Sequence, residues 1–148
     1  MTITMQVKNM MDATLILSAI IRENRKLPPK GKFLLGRMHA ALEPEFARVK
    51  KEYDTIVTSY NHKTEIANPA YNPEPDTEGN SQPKTVEIDS VPNDKSEDFQ
   101  KRWAEIADVE IELPVSPINI KDLCLPADQG DGSITAFEFI KLGALISE

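Results

Sequence analysis

Apolar residues in the first half of the chain recur every three or four positions: Leu35, Met38, Leu42, Phe46, Val49, Tyr53, Ile56 and Tyr60. That spacing puts side chains on one face of an α-helix. It predicts a long amphipathic helix over about 32–60, although Pro44 falls inside it. An internal proline removes one backbone hydrogen bond and crowds the preceding turn, at a cost of about 3 kcal/mol. The stripe keeps its phase from Leu42 to Phe46 and Val49. A kinked but continuous helix is therefore favoured over two helices divided at Glu43-Pro44.

Upstream, Ile3, Met5 and Val7 alternate with polar neighbours and read as a short strand. Asn9 is a candidate N-cap for a first helix, with Asp12 in its first turn and an end near Asn24. Met10, Ala13, Leu17, Ile20 and Ile21 form one face, and Leu15, Ile16 and Ala19 widen it enough to predict burial on two sides. Leu27-Pro28-Pro29-Lys30-Gly31 is a hard break. So short a connection predicts an antiparallel helical hairpin in which the two apolar faces cover each other.

The periodicity dissolves from Asn61 to about Asp94. Asn68-Pro69, Asn72-Pro73, Glu74-Pro75 and Gln82-Pro83 are turn or extended dipeptides, and only Thr85, Val86 and Ile88 hint at a strand. The segment reads either as a long loop or as an arm that a partner orders. A third helix is predicted over 95–107, with Phe99, Trp103 and Ile106 on one face and Trp103 as a core anchor. Val109, Ile111, Leu113 and Val115 then alternate with Glu110, Glu112 and Pro114, a half-buried strand suited to pairing with the N-terminal one. Thr135-Ala136-Phe137-Glu138 has capping-box spacing, with Ile134 and Phe139 placed for a hydrophobic staple. The helix it opens is expected to reach the last residues and to dock Phe137, Ile140, Leu142 and Leu145 or Ile146. The fold class that follows is α+β and mostly helical: a helical hairpin, two further helices, a small two- or three-stranded sheet and a long irregular middle loop. One domain over 1–148 is expected, with 61–94 as a flexible, proline-rich loop or arm within it.

Composition narrows the function. A chain of 148 residues with net charge −7 and pI near 4.9 makes direct nucleic-acid binding a poor expectation, because that affinity comes from Lys and Arg neutralising phosphates. An acidic exterior also disfavours anionic membranes. Cys124 is the sole cysteine, which excludes an internal disulfide and a Cys-based zinc site and fits a reducing compartment, with the thiol as a small apolar packing residue. The first eight residues lack the pattern of a signal peptide. The apolar run from Leu15 to Ile21 is too short to span a bilayer.

Candidate chemistry is sparse. Residues 127–138 resemble the calcium loop of EF-hands, with Asp131, Gly132, Ile134 and Glu138 at the fifth, sixth, eighth and twelfth positions. Ala127 and Gln129 stand where that loop usually has carboxylates, and Leu125-Pro126 replaces the incoming helix. A turn followed by a capped helix accounts for the same residues without a metal. His39 and His62 are the only histidines, no Ser or Cys has a nucleophile setting, and no glycine-rich loop ends in Lys-Ser or Lys-Thr. Glu110 and Glu112 fit a solvated strand face. The basic cluster Arg22, Arg25, Lys26, Lys30, Lys32 and Arg37 surrounds the turn between the first two helices. Phe33 is the single aromatic residue interleaved with it, short of a series for stacking on bases, so favourable charge at a helix end is the simpler account. No catalytic, cofactor-binding or metal-binding residue is assigned, and the protein is expected not to be an enzyme.

Several landmarks together resemble a family of small, uncharacterised proteins from tailed bacteriophages. They are Lys26-Leu27-Pro28 after the first helix, Leu42-Glu43-Pro44-Glu45-Phe46 in the second, the stretch from Phe99 to Val109-Glu110-Ile111-Glu112, and the closing Ile134-Thr135-Ala136 helix start. The resemblance implies a phage accessory protein without known catalytic residues. It leads to the expectation of a structural or assembly protein, in contact with other phage structural proteins in an oligomeric assembly at the head–tail or tail region. Its location would be the host cytoplasm during assembly and then the virion, with no membrane contact. The alternative is a soluble phage protein that binds and inhibits a host factor, its acidic surface mimicking nucleic acid. A degenerate EF-hand calcium binder is the third reading.

Overall fold

The alternating segment near the N-terminus and the one at 109–115 find each other. In a computed structural model that describes residues 2–23, 25–71, 83–124 and 134–148, β1 (Ile3–Gln6) pairs antiparallel with β4 (Glu110–Leu113). The register sets Ile3 opposite Leu113 and Met5 opposite Ile111, so the apolar members share one face. The remaining elements are α1 (Val7–Arg22), α2 (Pro29–Thr58), β2 (His62–Ala67), β3 (Thr85–Ser90), α3 (Ser96–Ala107), β5 (Ile118–Asn119), α4 (Ala136–Leu142) and β6 (Ile146–Ser147). This is the mostly helical α+β fold expected, with its helical hairpin and small sheets. The chain divides into two compact units, one of residues 1–50 and 104–148 and one of residues 51–103.

In the first unit, β1 runs into α1 without a loop. Asn9 is not the cap: Gln6 holds that position without a side-chain hydrogen bond, and no acidic residue lies in the first turn. The strand pairing makes a cap unnecessary, because the Val7 N–H donates to the Val109 carbonyl at 2.9 Å. Met10, Ala13, Leu17 and Ile20 are buried, whereas Leu15 and Ile21 are exposed, so α1 is covered along one stripe rather than on two sides. Thr14 is buried within that stripe and donates to the Met10 carbonyl at 2.7 Å. α1 stops at Arg22, before the proline pair, and Pro29 takes the first position of α2, where its missing N–H costs nothing.

α2 passes through Pro44 unbroken. Leu35, Met38, Leu42 and Val49 are buried and Phe46 is half-buried, as the stripe requires. At its N-terminal end a glycine is needed: a Cβ on Gly31 would lie 2.4 Å from the Asp122 carbonyl oxygen. That close approach seats α2 on the 3₁₀ turn Ile120–Leu123, whose Leu123 is buried.

The C-terminal helix is shorter than expected. The Thr135–Glu138 capping box forms, but α4 ends at Leu142, where Gly143 adopts φ +52 and starts a 3₁₀ turn. The chain then pairs β6 in parallel with β5, Ile118 facing Ile146. Leu142 and Leu145 are buried, while Phe137 is 63% and Ile140 76% exposed, opposite to the expected docking of those two residues. Glu138 occupies the inward position instead. A seven-residue helix cannot bury both faces, and its inward one is fixed by the capping carboxylate.

The second unit is built differently. Tyr53 of α2 meets Phe99 and Trp103 of α3 edge-on, with ring centroids 5.5 and 5.0 Å apart. Ile56 and Phe99 are buried and Trp103 is half-buried. Past Asn61, whose φ of +50 turns the chain out of α2, the stretch expected to lack regular structure contains an antiparallel β2–β3 ribbon. Asn68 closes one end of it, its side chain accepting from the Ala70 N–H at 2.9 Å, as the Asn68-Pro69 turn signal predicts. The ribbon escaped the sequence pattern because its strands are not half-buried. Every residue of β2 is exposed, so no alternation was imposed on them.

Candidate interaction surface

The register of the ribbon sorts its side chains into two unlike faces. His62, Thr64 and Ile66 of β2 stand opposite Ser90, Ile88 and Val86 of β3 on one face. Hydrogen bonds of 2.8 Å from His62 Nδ1 and 2.7 Å from Thr64 Oγ1 converge on Ser90 Oγ there. The apolar end of this face is open, with Ile66 37% and Ile88 43% exposed. The other face carries Lys63 opposite Asp89 and Glu65 opposite Glu87. Two carboxylates directly opposite each other repel, and the Thr85 hydroxyl donates to Glu65. At the ribbon's base the Thr58 hydroxyl donates to Asp89 at 3.3 Å. Beside it, Tyr60 donates to Asp98 at 2.5 Å and Arg102 to the Ser59 hydroxyl at 2.9 Å. Desolvation and then the Asp98 hydrogen bond push the Tyr60 phenol above its ordinary value.

A second surface lies within the first unit. A half-open cleft of about 440 Å³ separates α2 from the extended segment 114–119. Leu34, Met38 and Ala41 line its helical side at the spacing of one stripe, and Lys30 and Arg37 add two cations. Lys30 pairs with Asp122 at 3.0 Å, and Arg37 lies over the exposed Phe33 ring at 5.8 Å. With Asp122 also in the lining, the groove combines apolar positions with two cations and one carboxylate.

The basic cluster therefore has assignable parts. Arg25 donates to Glu23 at 2.7 Å and to the buried Glu138 carboxylate. Its guanidinium is the main cause holding Glu138 below the usual carboxylate range; burial opposes that shift, and the Thr135 N–H and hydroxyl reinforce it. Glu138 in turn raises Arg25. This contact joins the α1–α2 connection to the start of α4, and spacing along the chain carries no sign of it. It also fixes what Glu138 does locally: the carboxylate that would be the twelfth EF-hand ligand accepts from the Thr135 N–H at 3.0 Å and from Arg25. Positions 127–133 of that loop lie outside the described residues. The element before the loop is a 3₁₀ turn, and among the described residues no group of three His, Cys, Asp or Glu converges on a metal-sized space.

The other candidates are scattered. His39 lies half-buried on α2 and His62 on the ribbon. Cys124 is exposed, so it is not the packing residue expected. Glu110 and Glu112 point outward on β4, as their alternation predicts. No described helix is long and apolar enough to cross a membrane. No protein-family model, no curated protein and no solved structure matches this chain.

Proposed function

We propose that this chain is a non-enzymatic component of a bacteriophage particle that works through protein–protein contacts at the head–tail or tail region. The observation that carries the reading is the β2–β3 ribbon, which leaves Ile66 and Ile88 exposed at the apolar end of one face. Two-stranded ribbons are marginal in water by themselves, and one that keeps Ile66 and Ile88 exposed gains stability from a partner surface. The phage setting rests on the resemblance of the helix and turn landmarks to tailed-phage proteins. Mass spectrometry of purified particles is the test. The protein should be present at a fixed copy number, and its absence from particles sinks the reading.

A second reading, a soluble phage protein that binds a host factor, draws support from acidity concentrated in one unit. Residues 51–103 hold eleven Asp and Glu against six Lys and Arg. Such a surface suits a basic partner. Synthesis early in infection, together with absence from particles and capture of a single host protein, would favour it over assembly.

A further inference from the structure

We propose that copies of this chain dock head to tail, the β2–β3 ribbon of one copy seating in the cationic cleft of the next. The inference deepens the assembly reading above by naming a partner, and it rests on that reading for its biological setting.

Three observations converge on this occupant. Charge is segregated along the chain: residues 1–50 hold nine Lys and Arg against four Asp and Glu, whereas residues 51–148 hold eight against twenty. The helical side of the cleft comes from the positive part, with Lys30 and Arg37 beside Leu34, Met38 and Ala41. The opposite side, 114–119 with Asp122, brings one carboxylate, which Lys30 pairs, so Arg37 is the cation left to face an occupant. The ribbon has the complementary make-up, with Ile66, Val86 and Ile88 on one face and a net negative set on the other, where Glu65, Glu87 and Asp89 outnumber Lys63. The unfavourable Glu65–Glu87 juxtaposition is relieved when a cation approaches from outside. A second copy supplies both surfaces in equal number, so each chain has one donor surface and one acceptor surface.

The contact is heterologous, because two different patches meet, and repetition closes a ring or extends a filament according to the rotation between copies. One ribbon face is small beside the roughly 1,600 Å² total of a standard stable interface. A single junction is therefore weak, and closure of a ring supplies the avidity that makes the assembly firm. Lys30 exchanges part of its exposed pairing with Asp122 for the incoming carboxylates, at little cost because surface pairs contribute little.

Sedimentation velocity of the full chain tests this from about 10 μM to about 1 mM, the range in which a weak single junction is populated. Growth in size with concentration is expected, reduced at high salt because exposed charges are screened within about 8 Å at physiological ionic strength and closer in above it. Arg37→Glu and Glu87→Arg should each weaken association about tenfold, and Ile88→Asp should abolish it, with circular dichroism showing that each variant is folded. An equimolar mixture of Arg37→Glu and Glu87→Arg should recover association, because every junction in an alternating array again joins opposite charges. The proposal is overturned by a chain that stays monomeric throughout, by association that Arg37→Glu and Ile88→Asp leave intact, or by a mixture that fails to recover. A protein present in particles but monomeric in solution removes the self-docking and leaves the particle reading standing; a self-associating protein absent from particles does the reverse.

Discussion

The two compact units hold themselves together by different means. Among the described residues, every buried apolar side chain except Ile56 and Phe99 lies in residues 1–50 and 104–148. That unit draws on strands, helices and 3₁₀ turns from both ends of the chain, and its largest fully buried side chains are Met10, Leu17, Ile20, Leu35, Leu42, Leu113, Leu123, Leu142 and Leu145. The unit of residues 51–103 rests on one edge-to-face aromatic cluster, several exposed hydrogen bonds and a ribbon with an open apolar face. Apolar burial is the dominant favourable term in folding. The first unit therefore carries the stability, and the second offers surface that a partner can still cover.

Core truncation gives the largest expected effect. Leu42→Ala should lower unfolding stability by about 3 kcal/mol, and Ile88→Ala on the ribbon by no more than about 0.5 kcal/mol, both read from urea midpoints. Trp103 is the single tryptophan and lies in the weaker unit, so its fluorescence reports that unit while far-ultraviolet dichroism reports the whole chain. Fluorescence should change at lower urea than dichroism; coincident transitions would mean that the two units unfold as one and would erase the contrast drawn above.

Next in size is the pair that ties α4 to the α1–α2 connection. Glu138→Gln should cost about 2 kcal/mol, since it removes the buried carboxylate from Arg25, which keeps its pairing with the more exposed Glu23. The folded-state value of Glu138 lies below the unfolded one. Its contribution is therefore complete above the ordinary glutamate value of about 4.3 and is lost as pH falls from there through the lowered folded value. Thermal melts across that acid window should show a smaller loss for Glu138→Gln than for the parent chain. An equal acid slope in the two would remove this carboxylate as the cause.

Two glycines of α2 provide the smaller effects and have opposite signs. Gly31→Ala places a methyl against the Asp122 carbonyl and should destabilise by about 1–2 kcal/mol, because backbone must move to admit it. At Gly36 a Cβ meets nothing within 4 Å, so Gly36→Ala should stabilise by up to about 0.8 kcal/mol through helix propensity. Calorimetry of the two variants separates the signs. Destabilisation by both would indicate that space beside α2 near Gly36 is needed.

Much of this architecture was legible beforehand where one face of an element is covered. The α2 stripe, the β1–β4 pairing of alternating residues and the Thr135–Glu138 box all stand as the pattern predicts. The errors have particular causes. Asn9 looked like a cap because the Val109 carbonyl that takes its place is about a hundred residues away. Phe137 and Ile140 looked like core because hydrophobicity alone does not say which side of a short helix turns inward. Of the ribbon only Thr85, Val86 and Ile88 gave a hint, which β3 bears out, while β2 and the cleft were not visible. Strands exposed on both faces impose no period, and a cleft exists only once 114–119 lies along α2.

What the residue order determined by itself was local: that helices form in these stretches, which stripe of each is apolar, and the capping box that opens the last one. Those features depend on neighbours within a few positions, so they are written in spacing. Only the tertiary structure decided that Arg25 holds Glu138, that Gly31 must lack a side chain, and that the charged and apolar residues of 62–67 and 85–90 form opposite faces of one ribbon. Each of these joins residues far apart in sequence. Their energies come from proximity, desolvation and register, which arise only when distant segments meet.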